Sequence, residues 1–249
     1  MKVLESIEKT IKKRRMHFTL VDPDKQSSVE AGEIAAAVES VGSDAIMVGG
    51  STGVDFSKVD QTVAEIKARC KLPVILFPGS AKGLTPKADA IFFMSMLNSR
   101  KREFLIGQQV RGARVVKMMR IEPIPMAYVV VAPGMRVGEI GDAQLVERDD
   151  FEGAISYALA AQYMGMRLLY LEAGSGAPEP VPAKLVSAVK KEAEIPLIVG
   201  GGIRTAEAAR DILDAGANIV VTGTLVERTG DVARAVGEIT KIVRSFKNA

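Results

Sequence analysis

The chain has 249 residues, 47% hydrophobic and 25% charged, with a formal net charge of +3 and one cysteine. That composition suits a soluble globular protein with one large core, and the small, dispersed positive charge argues against nucleic acid or an anionic membrane surface as a partner. The lone Cys70 excludes an intrachain disulfide and a thiolate metal cluster. No apolar run reaches the length of a membrane span and no signal-peptide pattern opens the chain, so a cytoplasmic protein is expected.

In chain order, Glu5 to about Arg15 reads as a helix, with Lys12-Lys13-Arg14-Arg15 as its solvated end. His17 to Val21 is a first strand, stopped at Asp22-Pro23 because proline disfavours helical geometry in the residue before it. Ser27 or Ser28 caps a helix with Ile34, Ala37, Val38 and Val41 at helical spacing. The strand Ala45 to Val48 runs into Gly49-Gly50-Ser51-Thr52-Gly53, a helix passes through Val63 and Ile66, and Val74 to Phe77 is the third strand. Cys70 is expected near a helix end as a small, partly buried residue.

The rhythm breaks next. Residues 78–89 carry Pro78, Gly79, Gly83 and Pro86, poor material for a helix, so the strand Ala90 to Met94 arrives without one before it. Asn98 or Ser99 is expected to cap a long helix starting near Arg100. A fifth strand lies within Ile121 to Val131, with Met126 to Val131 as its safer core because of Pro123 and Pro125. Ala132 to Asp149 reads as an irregular insertion, open to a role as a lid or as an oligomer contact. A helix Phe151 to Met164, a strand Arg167 to Leu171 and a helix Pro182 to Ala193 follow. The chain closes with strands at Leu197 to Val199 and from Ile219, a helix Thr205 to Asp214, and a last helix from Asp231 to about Phe246.

Eight strands alternating with helices over this length predict an α/β fold, a single-domain (β/α)8 TIM barrel spanning residues 1–249 with its third helix missing or irregular. In such barrels chemistry sits at the C-terminal ends of the strands. Two late strands end in glycine turns, Gly200-Gly201-Gly202 before Thr205, and Gly223-Thr224. Residues without Cβ let an anion approach backbone N–H groups, and the helix start adds partial positive charge, although glycines also serve tight strand–helix turns. The sixth strand ends in Tyr170-Leu171-Glu172-Ala173-Gly174-Ser175-Gly176, where glycines and a hydroxyl join the same phosphate site. Glu172 there suits hydrogen bonding to a substrate hydroxyl or general-base work, or else pairs with a nearby cation. Across the mouth, Asp22 and the cluster Gly50-Ser51-Thr52 offer one carboxylate and one hydroxyl oxygen, the kind of sparse set that holds Mg²⁺ together with water and phosphates, although Asp-Pro turns are common and Ser51 also suits a helix cap. His17, the only histidine, starts its strand at the wrong end for catalysis and reads as structural, which removes Ser–His and Cys–His devices.

The ordered motifs HFTLVDPDK (17–25), VGGSTGV (48–54), FPGS (77–80), YLEAGSGAP (170–178), VGGGIR (199–204) and VTGT (221–224) resemble the geranylgeranylglyceryl phosphate synthases from first strand to last. The resemblance implies prenyl transfer from geranylgeranyl diphosphate to the 3-hydroxyl of sn-glycerol 1-phosphate, the first ether bond of archaeal membrane lipids. It implies Mg²⁺ at Asp22 and Ser51, and the glycerol phosphate at Tyr170, Leu171, Glu172, Ala173, Gly174, Ser175, Gly176, Gly201, Gly202, Gly223 and Thr224. It also implies a groove for the prenyl chain where the third helix is missing. Glu172 is expected to orient the hydroxyl and accept its proton, with Tyr170 helping to position it; Lys25 and Arg204 are lesser candidates for phosphate contacts. A homo-oligomer is expected. The alternatives are a heptaprenylglyceryl phosphate synthase using a longer donor, a metal-independent isomerase or synthase of a phosphorylated sugar, and a non-catalytic phosphometabolite-binding barrel.

Overall fold

The computed structural model describes residues 2–50 and 55–247 and closes them into an eight-stranded parallel barrel. The strands follow in chain order: β1 (Met16–Val21), β2 (Ala45–Val48), β3 (Val74–Leu76), β4 (Ala90–Met96), β5 (Glu122–Val130), β6 (Leu168–Glu172), β7 (Leu197–Gly200) and β8 (Ile219–Thr222). Phe18 of β1 lies opposite Val221 of β8, so the sheet has no free edge.

Successive strand residues face opposite sides. One set, including Phe18, Met47, Phe92, Met126 and Ile198, fills the barrel. The other, including Val129, Leu171 and Val220 on one side and Val21, Ile46 and Leu76 on the other, packs under the helices. Both faces are covered, which is why the strands read as continuous apolar runs. α1 (Val3–Ile11) stops the barrel from below with Ile7 and Ile11 in the interior cluster. Its first N–H groups, Val3 and Leu4, donate to the Glu122 carboxylate at 2.6 and 3.3 Å, which satisfies helix-end donors with a charge of the favourable sign.

α2 (Ser28–Ser40) is capped by Ser27 through a reciprocal box with Glu30. α3 (Phe56–Arg69) ends at buried Cys70. Between β3 and β4 the chain makes only turns, so the third helix is absent as expected. α4 (Gln108–Met119) is entered through a π-helical turn, Glu103–Gly107.

Several expectations need correction. Asn98 and Ser99 do not cap α4: the Asn98 amide donates to the carbonyls of Val130 and Gln144, and Ser99 Oγ donates to the Gly141 carbonyl. They tie the end of β4 to the end of β5 and to the segment that follows it. That segment is not wholly irregular, since it holds α5 (Met135–Gly141). β5 lies within the expected Ile121 to Val131, but it starts at Glu122, ahead of the safer core, and contains both prolines. The Pro125 carbonyl accepts from Arg167, so these residues face β6, and β6 pairing begins only at Leu168 opposite Met126. The missing N–H groups therefore cost no ladder bond.

α6 (Phe151–Tyr163), α7 (Ala183–Glu192), α8 (Ala206–Asp214) and α10 (Val232–Ser245) lie as the periodicity predicts. Thr205 Oγ1 accepts from Ala208 N at 3.1 Å and caps α8. A further short helix, α9 (Thr224–Arg228), follows β8; its five residues are too few to show a helical period.

Candidate active site

Inward residues near the C-terminal strand ends form an aromatic layer topped by one carboxylate. Phe77 stacks on Tyr170 at 5.6 Å, and Tyr128 meets both rings edge-on, 5.6 Å from Phe77 and 5.2 Å from Tyr170. The register sets Tyr128 opposite Tyr170 and Val130 opposite Glu172. Gly200 on β7 is required here, because a Cβ would fall on the Tyr170 hydroxyl.

Glu172 is 5% exposed and, among the described residues, pairs with no cation. Its Oε1 accepts from Gly174 N at 2.6 Å and its Oε2 from the Tyr128 hydroxyl at 3.1 Å. Burial pushes its pKa up, while the donors Gly174, Tyr128 and Tyr170 hold it back. Burial, and then the Glu172 charge, raise both tyrosines well above the ordinary phenol value, so they stay protonated as donors. A buried carboxylate with a raised pKa and acceptor capacity left over has the chemistry to accept a proton from a hydroxyl placed against it.

The glycine turns gather on one side of this carboxylate. Gly174 and Gly201 adopt φ of +101° and +77°. A Cβ on Gly201 would fall on Glu172 Oε1 and lie 2.7 Å from Gly174 N. Ser175 Oγ lies 3.3 Å from Thr224 Oγ1, which joins the β6 and β8 turns, and Gly223 opens α9. Gly176 and Gly202 complete the two turns. The side chains of Leu171 and Ala173 turn outward into the barrel–helix layer, so only their backbone reaches the mouth. Arg204 is not aimed at the turns' open side: its guanidinium donates to the carbonyls of Gly176, Ala177 and Pro178 and holds the β6–α7 loop.

Across the mouth, Asp22 is 9% exposed, and burial raises its pKa against the lowering pull of Asp24 N–H and Lys25. Lys25 Nζ sits 3.8 Å from Asp22 and 2.8 Å from Glu227 of α9. A Cβ on Gly50 would come 2.6 Å from Asp22 Oδ1, so this glycine keeps the carboxylate's front clear. Ser51, the other expected metal ligand, lies outside the described residues.

One cavity of about 300 Å³ joins Asp22 to Glu172 and Ser175. It starts at Asp22, Lys25, Glu172, Ser175 and Glu227 and continues between the helix-less 78–84 segment and α4, over Leu84, Phe93, Gly112 and Val116. α5 lines it with Arg136, Val137 and Ile140. Tyr128 and Arg136 escaped the sequence reading. Tyr128 shares the inward parity of Met126 and Val130, which marks it as interior but not as a partner of Glu172; Arg136 stood in a segment with no period to read.

His17 belongs elsewhere. It is fully buried on the outer face of β1, with Nδ1 3.0 Å from Ser43 Oγ and Nε2 2.9 Å from Thr222 Oγ1.

The PcrB family model matches residues 8–243. A geranylgeranylglyceryl phosphate synthase of Thermococcus gammatolerans is 54% identical over 246 residues, covering 99% of this chain and 98% of the relative. The crystal structure of (S)-3-O-geranylgeranylglyceryl phosphate synthase from Thermoplasma acidophilum, in complex with its substrate sn-glycerol-1-phosphate, superposes with a TM-score of 0.97 at 49% identity, over 98% of this chain and 99% of that one. A Thermoplasma volcanium enzyme of the same name gives 0.97 at 48% identity over the whole of both chains.

Proposed function

The chain belongs to the PcrB family, and from that premise we propose that it is a prenyltransferase joining geranylgeranyl diphosphate to the 3-hydroxyl of sn-glycerol 1-phosphate. The observation that carries this reading is the single cavity that runs from buried Glu172 into the apolar groove left by the absent third helix. A polar end with a base and a long apolar end fit a phosphorylated polyol and a prenyl chain.

In this reading the phosphate lies on the turns at Gly174-Ser175-Gly176, Gly201-Gly202 and Gly223-Thr224, and the glycerol 3-hydroxyl points at Glu172. Its oxygen bonds to the allylic C1 of the donor, the C–O bond to diphosphate breaks, and Glu172 takes the hydroxyl proton. Tyr170 and Tyr128 hold that carboxylate in place. The diphosphate end lies toward Asp22. Asp22 suits Mg²⁺, being an acceptor at the cavity with its front kept open by Gly50. Among the described residues no cluster of three or more His, Cys, Asp or Glu could hold a metal, so most ligands would come from Ser51, water and the diphosphate oxygens. When bound there, Mg²⁺ supplies charge against the leaving diphosphate. We also expect self-association, since Tyr163 and Met164 at the end of α6 stand 79% and 65% exposed; light scattering showing only a 26.6 kDa species would reject it.

The test is a transfer assay with sn-glycerol 1-phosphate, Mg²⁺ and donors from geranyl to heptaprenyl diphosphate, with EDTA and sn-glycerol 3-phosphate as controls. Metal-dependent product from geranylgeranyl diphosphate is expected, and absence of transfer from every donor overturns the reading. Glu172→Gln should lower kcat about a hundredfold or more, in line with loss of a general base; retention of full kcat would remove Glu172 from that role.

A further inference from the structure

The net charge of the chain hides a strong local concentration. From Arg100 to Arg120 there are seven basic residues and one acid, a local balance of +6 against +3 for the whole chain. All seven (Arg100, Lys101, Arg102, Arg111, Arg114, Lys117 and Arg120) are exposed. The one acid, Glu103, is taken up by Arg111 and Gln108. Interleaved with them are three exposed apolar side chains, Ile106 at 47%, Val110 at 68% and Met118 at 78%. On α4, positions 110, 111, 114, 117 and 118 fall on one face at helical spacing, while Gln109, Gly112 and Val116 line the cavity from the opposite face.

We propose that this outer face of α4 and its π-helical entrance is a docking surface for an anionic lipid bilayer. A helix with bulky apolar residues set among arginines and lysines is the chemistry of interfacial binding: apolar side chains enter the headgroup boundary and the cations stay with the anionic headgroups. Charge complementarity selects this occupant over a second copy of the chain, because a twofold contact would bring two such cationic faces together. The exposed apolar residues interleaved with the cations select it over a nucleic acid, whose backbone asks chiefly for cations. The positive charge, small and dispersed along the sequence as a whole, is concentrated here: the −3 balance of the rest of the chain masks it in the total, and the anionic membrane surface that the total argues against becomes a fitting partner. The inference draws its purpose from the proposed reaction, since α4 is also a wall of the groove read as the prenyl site. It would place lipid-soluble donor and product beside the membrane that stores them.

The test is flotation of the full chain with phosphatidylcholine vesicles, with and without about 30 mol% phosphatidylglycerol, at low and high salt. Binding only to the anionic vesicles is expected, weakened by salt. Arg114→Glu with Lys117→Glu should lower partitioning at least about tenfold, and Val110→Ser with Met118→Ser should also weaken it. Prenyl transfer from donor dispersed in detergent should be unchanged in both pairs. Equal binding to neutral and anionic vesicles, or wild-type partitioning in either double variant, overturns the proposal. So does loss of a dimer in light scattering of the serine pair, which would make this face a contact between copies. DNA binding that the serine pair leaves intact would reassign it to a polyanion. Because flotation needs no turnover, an inactive protein that still floats would sink the proposed reaction and leave the docking surface standing.

Discussion

At the scale of single residues, the site turns on how donors offset the burial of one carboxylate. Glu172 has few neighbours to do this, and the Tyr128 hydroxyl is one of its two closest donors. Removing a donor to a carboxylate raises its pKa. Tyr128→Phe should therefore move the acidic limb of the pH profile of kcat/KM upward, by about half to one unit, and lower activity most at acid pH. A uniform fall at every pH would reduce Tyr128 to a packing residue. His17 makes the opposite kind of prediction, about stability alone. Burial lowers its pKa from 6.5 to about 4, so the folded protein refuses a proton that the unfolded chain accepts. Nothing is lost above pH 6.5; as pH falls from there toward 4, stability falls with it. Denaturant unfolding at pH 5 should show wild type about 2 kcal/mol less stable than at neutral pH on this account, a loss that His17→Gln lacks. Glu172 was legible in the sequence because a carboxylate at a strand end, among glycines, has little structural reason to be there. Tyr128 was not, because an aromatic inside a strand reads as packing until the opposing register is known.

At the scale of elements, the turns after β6 and β7 are two surfaces fitted to each other. Gly201 combines a positive φ of +77° with a missing Cβ whose place is taken by the Glu172 carboxylate and Gly174. Gly201→Ala should cost about 2 kcal/mol or more in stability and raise the KM for glycerol phosphate, because both strain and displacement of Glu172 follow from one methyl group. Unchanged values of both would show that the turn relaxes freely. The long helices and all eight strands were readable because each has a period or a continuous apolar run. What escaped was set by partners far away in sequence: a five-residue helix held by the turn before it, two prolines tolerated because β6 starts late, and Asn98 bound to Val130 rather than to its own helix.

At the scale of the whole molecule, the absent third helix turns a closed barrel into one with a lateral groove. Gly112 of α4 faces across it, with a Cβ at ordinary contact distance from Ala81 and Leu84, 3.6 and 3.7 Å. Alanine would fit; phenylalanine would occupy the groove. Gly112→Phe should retain transfer from geranyl diphosphate while transfer from geranylgeranyl diphosphate falls about tenfold or more, in competition assays at equal donor concentration. Equal loss on both donors would place the prenyl chain elsewhere. The alternation of eight strands with helices over this length predicted the barrel, and the run of glycines and prolines after β3 predicted its gap. The local charge of α4 could be counted in the sequence, but only the burial of its inner face showed that the cations share one exposed side.

The helix beneath the barrel bears on a different problem, the fate of a reactive electrophile. With α1 pinned to Glu122 and its Ile7 and Ile11 set in the interior, the floor is shut. The aromatic layer of Phe77, Tyr128 and Tyr170 closes the space above it. With the apolar prenyl chain filling the lateral groove, an allylic centre losing its diphosphate at the mouth meets water chiefly from above, where the acceptor alcohol also enters. The balance between ether formation and wasteful hydrolysis of the donor is thus decided by how fully the second substrate fills that one opening.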